Sequence, residues 1–413
     1  MIILILNCRF CNEPLTTKFV DLDTSPLSNS FLKREMLGEV EKKYPLCVYV
    51  CDNCLLVQIS EFEKPENIFE DYAYFSSYSN TWLQHAENYV KMITKKNDLN
   101  EKKLVIEIAS NDGYLLQYFK EKNIPILGIE PAANVAKVAI EKGIPTISQF
   151  FGITTANELK KNNRLGDLII GNNVLAHVPD LNDFIKGLKV LLKPGGVITL
   201  EFPHLLELIQ QKQFDTIYHE HFSYFSFLVV QKIFLFHHLT IFDVEQISTH
   251  GGSLRIYVKH EENQKFEISE NISNLIKKEK EFGLDKIDTY SKFQEKIELL
   301  KYQISKFLVS ISKESKTIVG YGAPAKGNTL LNYCQINSDI IKYTVDKNIH
   351  KQGLFLPGTH IPIESPEKIK ITKPDYILIL PWNLKEEVIQ QMNFIRDWGG
   401  KFITVIPEVK IHL

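Results

Sequence analysis

The feature that most constrains this fold is a run from residue 103 to residue 131, in which two strands enclose a short turn and a helix. Residues 103–109 are mostly apolar, as in a buried strand, and residues 114–122 carry apolar side chains at helical spacing. The second strand, residues 126–129, ends at Glu130. This order predicts a βαβ unit of a doubly wound α/β sheet, and such sheets bind ligands at the carboxyl ends of their strands.

The turn between the first strand and the helix indicates the cofactor. Dinucleotide enzymes carry G-x-G-x-x-G at this point and hold pyrophosphate at the helix N-terminus. Here the turn has a single glycine, Gly113, and an additional acid, Asp112, which suits a cofactor without phosphate. S-adenosylmethionine (SAM) has a ribose diol for Glu130 to bind and a cationic tail for carboxylate or carbonyl groups.

A second pattern indicates the class of α/β domain. Residues 167–171 predict a further strand, and a helix, the turn Lys193-Pro194-Gly195-Gly196 and another strand follow. Glycine ends the helix and turns the chain there, an element frequent in class I methyltransferases. Together the two patterns predict a central class I SAM methyltransferase domain with a Rossmann-like sheet.

Four proton-handling side chains stand in a row at Tyr218, His219, Glu220 and His221, between aromatic flanks. They follow the strand that begins at residue 197, so we expect them near the carboxyl edge of the sheet. Histidine titrates near pH 6.5, and burial moves the pKa of Glu towards that value. The cluster therefore suits acid/base catalysis; the alternative is a turn with His and Glu at the surface.

Two C-x-x-C knuckles lie in the N-terminal region, Cys8 with Cys11 and Cys51 with Cys54. Four thiolates form a closed tetrahedral zinc site with no open position for water, so we expect a structural rather than a catalytic role. The alternatives are four ordinary reduced cysteines, or competition from Cys47 as a ligand. The zinc interpretation predicts a small N-terminal zinc-binding domain.

The last third of the chain begins a second strand–turn–helix unit near residue 316. It predicts a smaller Rossmann-like domain whose Gly-rich turn holds a diphosphate, with Lys326 as counter-charge. The alternative is a plain α/β lid with Lys326 in solvent. The domains are predicted at residues 1–70 (zinc), 71–262 (SAM), 263–315 (bridging helices) and 316–413 (nucleotide sugar).

The charge and hydropathy of the chain limit the classes of partner that it is expected to bind. The formal net charge of −2 over 413 residues argues against nucleic-acid binding. No apolar run approaches the ~20 residues of a membrane span. We therefore expect a cytoplasmic monomer that acts on a small molecule, without nucleic acid or membrane.

Over nearly its whole length the chain resembles the nucleotide-sugar C-methyltransferases of deoxysugar biosynthesis. The resemblance includes both cysteine knuckles and the motifs at residues 72–78, 107–113, 173–179, 218–222, 320–329 and 381–383. One departure is Ala109, where many methyltransferases carry glycine, and there we expect a tighter fit near the cofactor.

The resemblance implies a nucleotide-linked 4-keto-6-deoxysugar as substrate, with the methyl group added to a carbon next to the ketone, C3 by preference. It implies His221 as the base, Glu220 as its orienting partner, and Tyr218 and His177 as hydrogen-bond donors to an enolate, with Tyr72 closing over the cofactor. The expected SAM residues are Glu107, Ala109, Asn111, Gly113, Glu130, Gln149, Phe150 and Asn172. The expected substrate residues are Gly322, Ala323, Lys326, Asn328 and Trp382.

Other interpretations remain open at this stage. An O- or N-methyltransferase uses the same residue types on a hydroxyl or amine. A zinc-dependent binding module without catalysis is disfavoured by the intact Glu130, His177, Glu220 and His221. A nucleotide-sugar reductase or epimerase requires the G-x-G-x-x-G turn that is missing here. His219 is expected to point away from the site, and His237, His238 and His250 to be structural or exposed.

Overall fold

The computed structural model describes residues 6–62 and 75–412 and arranges their strands in three sheets. The predicted site residue Tyr72 lies outside the described residues. The first three strands, β1 (Thr17–Ser25), β2 (Tyr44–Val50) and β3 (Val57–Ile59), pair antiparallel in that order. Two thiols of the C-x-x-C pairs, Cys51 and Cys54, lie in the loop between β2 and β3.

The central sheet has seven strands and is parallel through most of its width. Its members are β4 (Val105–Ile108), β5 (Ile126–Ile129), β6 (Thr146–Ile147), β7 (Gly166–Asn172), β8 (Leu192–Pro203), β10 (Leu239–Ile247) and β11 (Ser253–His260), in the order β10-β11-β8-β7-β4-β5-β6. Strands β6, β5, β4, β7 and β8 run parallel, and β11 and β10 add an antiparallel hairpin. The predicted doubly wound order is therefore present from β6 to β8.

Helices cover this sheet. They are α1 (Asn80–Lys96), α2 (Leu116–Lys120), α3 (Ala133–Glu141), α4 (Ile153–Lys161), α5 (Leu181–Leu191), α6 (Leu205–Gln210) and α7 (Phe227–Phe236). Helix α1 begins where the Ser79 side chain accepts a hydrogen bond from the Trp82 amide, and it buries its apolar face. Helix α2 is shorter than the predicted 114–122, because a turn that follows Gly113 occupies residues 114 and 115.

One two-residue strand departs from the predicted division of the chain. Strand β9 (Ser223–Tyr224) lies within the predicted central domain, yet it pairs with β3 and completes the first sheet as its fourth strand. The segment at residues 218–221 thus ends in the sheet that carries the cysteine knuckles. The predicted domain limits stay a prediction.

Three helices connect the central and last sheets: α8 (Glu270–Phe282), α9 (Ile287–Ser291) and α10 (Phe293–Lys313). The predicted apolar face of α10 is buried at Ile297, Leu300, Ile304 and Leu308, while Phe307 is half-buried. At its start, the ring of Phe293 stacks on Phe19 of β1, with 4.6 Å between centroids. Helix α10 therefore packs against the first sheet as well as bridging to the last.

The C-terminal region forms a six-stranded sheet in the order β14-β13-β12-β15-β16-β17. Its elements are β12 (Ile318–Tyr321), α11 (Ala325–Tyr333), β13 (Ile341–Val345), β14 (Ile363–Glu364), α12 (Glu367–Thr372), β15 (Tyr376–Ile379), α13 (Lys385–Gln391), β16 (Lys401–Thr404) and β17 (Lys410–His412). All pairs are parallel except β16 with β17. Among the described helices none is long and apolar enough to cross a membrane.

Candidate active site

A cavity of about 490 Å³ lies where the carboxyl ends of the central and last sheets face each other and the 218–221 segment. It collects most of the side chains that the sequence singles out. The lining includes Ala109, Asn111, Glu130, Gln149, Phe150 and Asn172 of the expected cofactor set, His177, Tyr218, Glu220 and His221 of the catalytic set, and Gly322 and Lys326 of the substrate set. The structure therefore brings three distant parts of the chain to one site.

Glu130 is fixed in place at the end of β5. Its carboxylate oxygens accept hydrogen bonds from the backbone amides of Asn111 and Ala132, each at 2.9 Å. Burial raises the pKa of Glu130, and the two amides oppose that shift. The carboxylate thus presents a rigid acceptor to the cavity, which fits a ribose diol.

Asn172 supplies a second test of whether SAM fits this cavity. Both polar atoms of its amide are buried and have no hydrogen-bond partner among the described residues. Burying an amide without a partner costs free energy, so a ligand with polar groups satisfies it. Ala109 has φ 55°, a left-handed backbone that glycine adopts most easily, which explains why many methyltransferases carry glycine there.

Two members of the expected cofactor set do not line the cavity. Glu107 is fully buried within β4, and burial, followed by the nearby Glu130, raises its pKa well above the usual value. Gly113 has φ 78°, and a Cβ built there lies 2.2 Å from the Ile144 side chain. Gly113 therefore has a packing role, because only glycine fits the turn.

Tyr218 and His221 form a hydrogen-bonded pair. The Nδ1 atom of His221 lies 2.8 Å from the carbonyl oxygen of Thr216, which can only accept, so Nδ1 carries the proton. The Nε2 atom then accepts from the Tyr218 hydroxyl at 2.8 Å. Burial, with a contribution from His177, lowers the pKa of His221 well below its usual range. A neutral imidazole with a fixed tautomer can take up a proton at Nε2.

His177 lies against this pair, with its ring centroid 4.7 Å from that of His221. Burial lowers the pKa of His177 to about 4, so it is neutral at pH 7. His219 points out of the site, with its Nε2 atom 3.2 Å from the carbonyl oxygen of Pro45. Adjacent side chains of the 218–221 segment thus face different regions.

Glu220 has a different partner from the one expected. Its two oxygens accept from the Asn29 amide at 2.7 and 2.9 Å, whereas Thr216 orients His221. Burial raises the pKa of Glu220 to about 7, opposed by Asn29 and by the charge of Lys351. Asn29 follows β1 and belongs to no motif, so nothing in the sequence marks it as a partner of Glu220.

Two lysines of the C-terminal region line the cavity: Lys351 is buried and Lys326 is half-buried. Lys326 donates to the Asn383 side chain at 2.8 Å, and Lys351 donates to the Ala323 carbonyl at 2.8 Å. Burial lowers the pKa of both. Neither is within ion-pair distance of a described carboxylate, although Asp215 near Lys326, and Asp346 and Glu220 near Lys351, favour the charged form of each lysine. Lys351 was not found by motif reasoning.

Three expected substrate residues have other contacts and do not line the cavity. The Ala323 amide donates to Asp346 at 2.7 Å, and Asn328 donates to the Ser28 carbonyl. The indole of Trp382 donates to Asp215 at 2.6 Å. These residues join the C-terminal region to the rest of the protein.

The four knuckle cysteines meet as predicted, with all four Sγ atoms within 4.8 Å of one another. The Sγ atoms of Cys8 and Cys54 are 3.5 Å apart, as are those of Cys11 and Cys51. A tetrahedron with zinc–sulfur bonds of about 2.3 Å has edges of about 3.8 Å, so the site fits zinc. Cys47 lies outside this cluster, which excludes it as the fourth ligand.

Three family models match the chain. They are described as a zinc binding domain at residues 8–69, a methyltransferase domain at residues 83–233 and a C-methyltransferase C-terminal domain at residues 248–407. The chain is 33% identical over 404 residues to C-methyltransferase NovU of Streptomyces niveus. The aligned residues cover 98% of this chain and 96% of that relative. The chain belongs to the C-methyltransferase family.

Two further similarities each cover only part of this C-methyltransferase. A ubiquinone biosynthesis O-methyltransferase of Bradyrhizobium sp. (strain ORS 278) is 28% identical over 23% of this chain and 38% of its own length. A SAM-dependent methyltransferase structure from Clostridium acetobutylicum ATCC 824 covers 43% of this chain and 92% of that one, with 14% identity and a TM-score of 0.35. The predicted SAM-dependent enzyme, its class I methyltransferase fold and its zinc-binding domain are confirmed.

The zinc knuckle of this C-methyltransferase contacts the loop after His177 and the residue after His221. Arg9, between Cys8 and Cys11, donates to the carbonyl oxygens of Pro179 and Ile59. Its guanidinium carbon also lies 5.3 Å from the ring centroid of Phe222, the residue after His221. The metal site therefore supports both the loop that holds His177 and the segment that holds His221.

Loss of one zinc ligand is expected to cost activity as well as stability. Cys51→Ser should lose most of its zinc, melt at lower temperature and turn over more slowly, because structural zinc is coupled to folding. Cys47→Ser, in the same sheet but outside the cluster, should keep about one zinc ion per chain. Metal analysis and thermal unfolding test this; a zinc-replete Cys51→Ser with unchanged melting would contradict it.

The raised pKa of Glu220 predicts a pH-dependent stability. Its pKa rises from 4.5 to about 7 on folding, so the folded state binds this proton more tightly and stability falls as pH rises through that window. Relative to Glu220→Gln, the wild-type free energy of unfolding should fall by about 3 kcal/mol between pH 4.5 and 7.

Urea unfolding at several pH values measures this difference. The exposed Glu13→Gln is the control for replacing an acid at the surface. Parallel pH curves for wild type and Glu220→Gln would show that Glu220 does not titrate in this range.

Proposed function

We propose that this SAM-dependent C-methyltransferase methylates the carbon next to the ketone, C3 by preference, of a nucleotide-linked 4-keto-6-deoxysugar. The observation that carries the proposal is the neutral Tyr218–His221 pair, which shares one cavity with the cations Lys326 and Lys351. A proton acceptor suits a substrate with an acidic C–H group, and two ammonium groups in the same cavity suit a diphosphate attached to that substrate. The relative NovU is named a C-methyltransferase, which favours carbon over oxygen or nitrogen.

Binding divides between the two ends of the cavity. Glu130 and Asn172 hold the cofactor, with Gln149 and Phe150 beside its adenine. Lys326 and Lys351 hold the diphosphate, because an anion compensates the cost of burying two ammonium groups. When bound, SAM supplies an electrophilic methyl group at the sulfonium.

The base is the Tyr218–His221 pair acting together. The ketone acidifies the neighbouring C–H, and the proton goes to the Tyr218 oxygen as the Tyr218 proton moves to Nε2 of His221. The two C–H electrons form the enolate, whose carbon takes the methyl group. Thr216 stabilises the resulting imidazolium because its carbonyl already accepts from Nδ1.

The enolate oxygen needs a donor, and neutral His177 is the candidate. It lies beside His221 and lines the cavity. Burial lowers its pKa to about 4, so the ring carries no charge at pH 7, and it hydrogen-bonds the backbone of Glu220. Donors aimed at developing charge contribute several kcal/mol to catalysis. Glu220, held by Asn29, orients the segment rather than the imidazole.

Proton NMR in D2O of a TDP-4-keto-6-deoxysugar with the enzyme tests the reaction. We expect enzyme-dependent loss of the C3 proton signal before SAM is added, and a new methyl singlet on carbon afterwards. Loss at C5 instead would move the methylation site. An O-methyl or N-methyl signal without exchange would replace this function with the heteroatom alternative.

Replacing the base should separate chemistry from binding. His221→Asn is expected to lower kcat by at least ~10²-fold, because the proton acceptor is lost, while the Kd for SAM changes by less than a few fold. Tyr218→Phe should also slow exchange if the pair acts as a relay. Calorimetric titration with SAM and single-turnover rates measure the two effects; a fully active His221→Asn would remove it as base.

A further inference from the structure

The hairpin that joins β10 to β11 places an additional imidazole in the cavity. Sequence analysis expects His250 to be structural or exposed, but its side chain lines the cavity together with Asn173. Its ring packs edge-on against Trp82 of α1, with 5.1 Å between centroids. No step of the mechanism above uses this residue.

The backbone at His250 is held in an unfavourable conformation. His250 has φ 55°, and the next two residues, Gly251 and Gly252, have φ 91° and 116°. Left-handed conformations are uncommon for residues other than glycine and concentrate at functional sites, where neighbouring structure enforces them. Here the Gly251 carbonyl accepts from Gln213, and a Cβ on Gly251 would lie 2.4 Å from the Trp382 ring.

One side-chain contact sets which nitrogen of His250 carries the proton. The Nε2 atom lies 2.8 Å from the Asn173 amide nitrogen, which can only donate, so Nε2 accepts and Nδ1 carries the hydrogen. Asn173 also has a left-handed backbone, with φ 56°, at the end of β7. Two strained residues are thus arranged to present one N–H group. Nδ1 makes no hydrogen bond with a described residue.

The position of His250 indicates which ligand it meets. Gly251 contacts Trp382, and the Lys326 ammonium lies 4.4 Å from the centroid of the Trp382 ring. His250 therefore lies near Lys326. Burial, together with the charge of Lys326, lowers its pKa to about 4, so the ring is a neutral donor at pH 7.

We propose that His250 is a substrate-binding residue that donates Nδ1–H to an oxygen acceptor on the sugar or diphosphate of the nucleotide sugar. This inference rests on the proposed function, since it assumes that Lys326 faces the diphosphate. Asn173 acts through His250 as a positioning residue by fixing the tautomer. Neutral donors of this kind discriminate between substrates, because the donor is left unpaired by an analogue without the acceptor.

The variants can be matched to the left-handed backbone. His250→Gly removes the imidazole without backbone strain, and His250→Asn keeps an amide donor close to the position of Nδ1 while tolerating φ 55°. His238→Gly is the control, because His238 also has φ 56° but is exposed at the other end of β10. Calorimetric titration with TDP-glucose, which has no ketone, measures binding without chemistry.

We expect His250→Gly to weaken TDP-glucose binding about 10-fold, and up to ~100-fold if the acceptor is a phosphate oxygen. His250→Asn should recover most of that loss, His238→Gly should bind as wild type does, and all variants should bind SAM within a few fold of wild type. Titration with TDP alone separates the two acceptors. An equal loss with TDP identifies the diphosphate, and a loss seen only with TDP-glucose identifies a sugar oxygen.

Three results would overturn the assignment of His250: wild-type affinity of His250→Gly for TDP-glucose, an Asn variant no better than the Gly variant, or a selective loss of SAM binding. None of these three results concerns turnover of the keto sugar by the wild-type enzyme, so none of them contradicts the proposed function. If the wild-type enzyme binds neither TDP-glucose nor TDP and turns over no keto sugar, the proposed substrate class is wrong. The proposed role of His250 is then wrong as well.

Discussion

The structure depends on the pairing of β9 with β3. Through this pairing, the two residues after Phe222 form the fourth strand of the first sheet, which carries the zinc knuckles, and do not join the central sheet. His221 is thereby held between two ordered elements, with Arg9 beneath the segment. A metal site that cannot take part in the reaction thus fixes the position of the residue proposed as the base.

The second constraint is the burial of histidine and lysine side chains that have no ion-pair partner among the described residues. His177, His221 and His250 are all neutral at pH 7, because burial lowers the pKa of each. Lys351 is buried and Lys326 is half-buried nearby, and neither forms an ion pair with a described carboxylate. The cavity thus combines neutral imidazoles with two lysines whose neighbouring acids lie beyond ion-pair distance, which suits a polyanionic substrate that reacts at carbon.

Much of the fold was predictable because its signals are local. The strand, Gly113 turn and helix are encoded within about thirty residues, and each C-x-x-C pair lies in one tight turn. The lining of the candidate site was predictable where a motif marks it, as at Tyr218 and His221. Asn29, Lys351 and His250 carry no motif, and Trp382 was expected at the substrate but instead bonds to Asp215. Their roles depend on what packs against them.

The sequence by itself determined the class of domain, the cysteine ligands and the family, because propensity, spacing and motifs act over short distances. Only the tertiary structure decided which polar groups face one another. Asn29 reaches Glu220 across 191 positions of the chain, and Asn173 reaches His250 across 77. Such contacts follow from how three sheets pack around one cavity, and burial there sets the protonation states on which the chemistry depends.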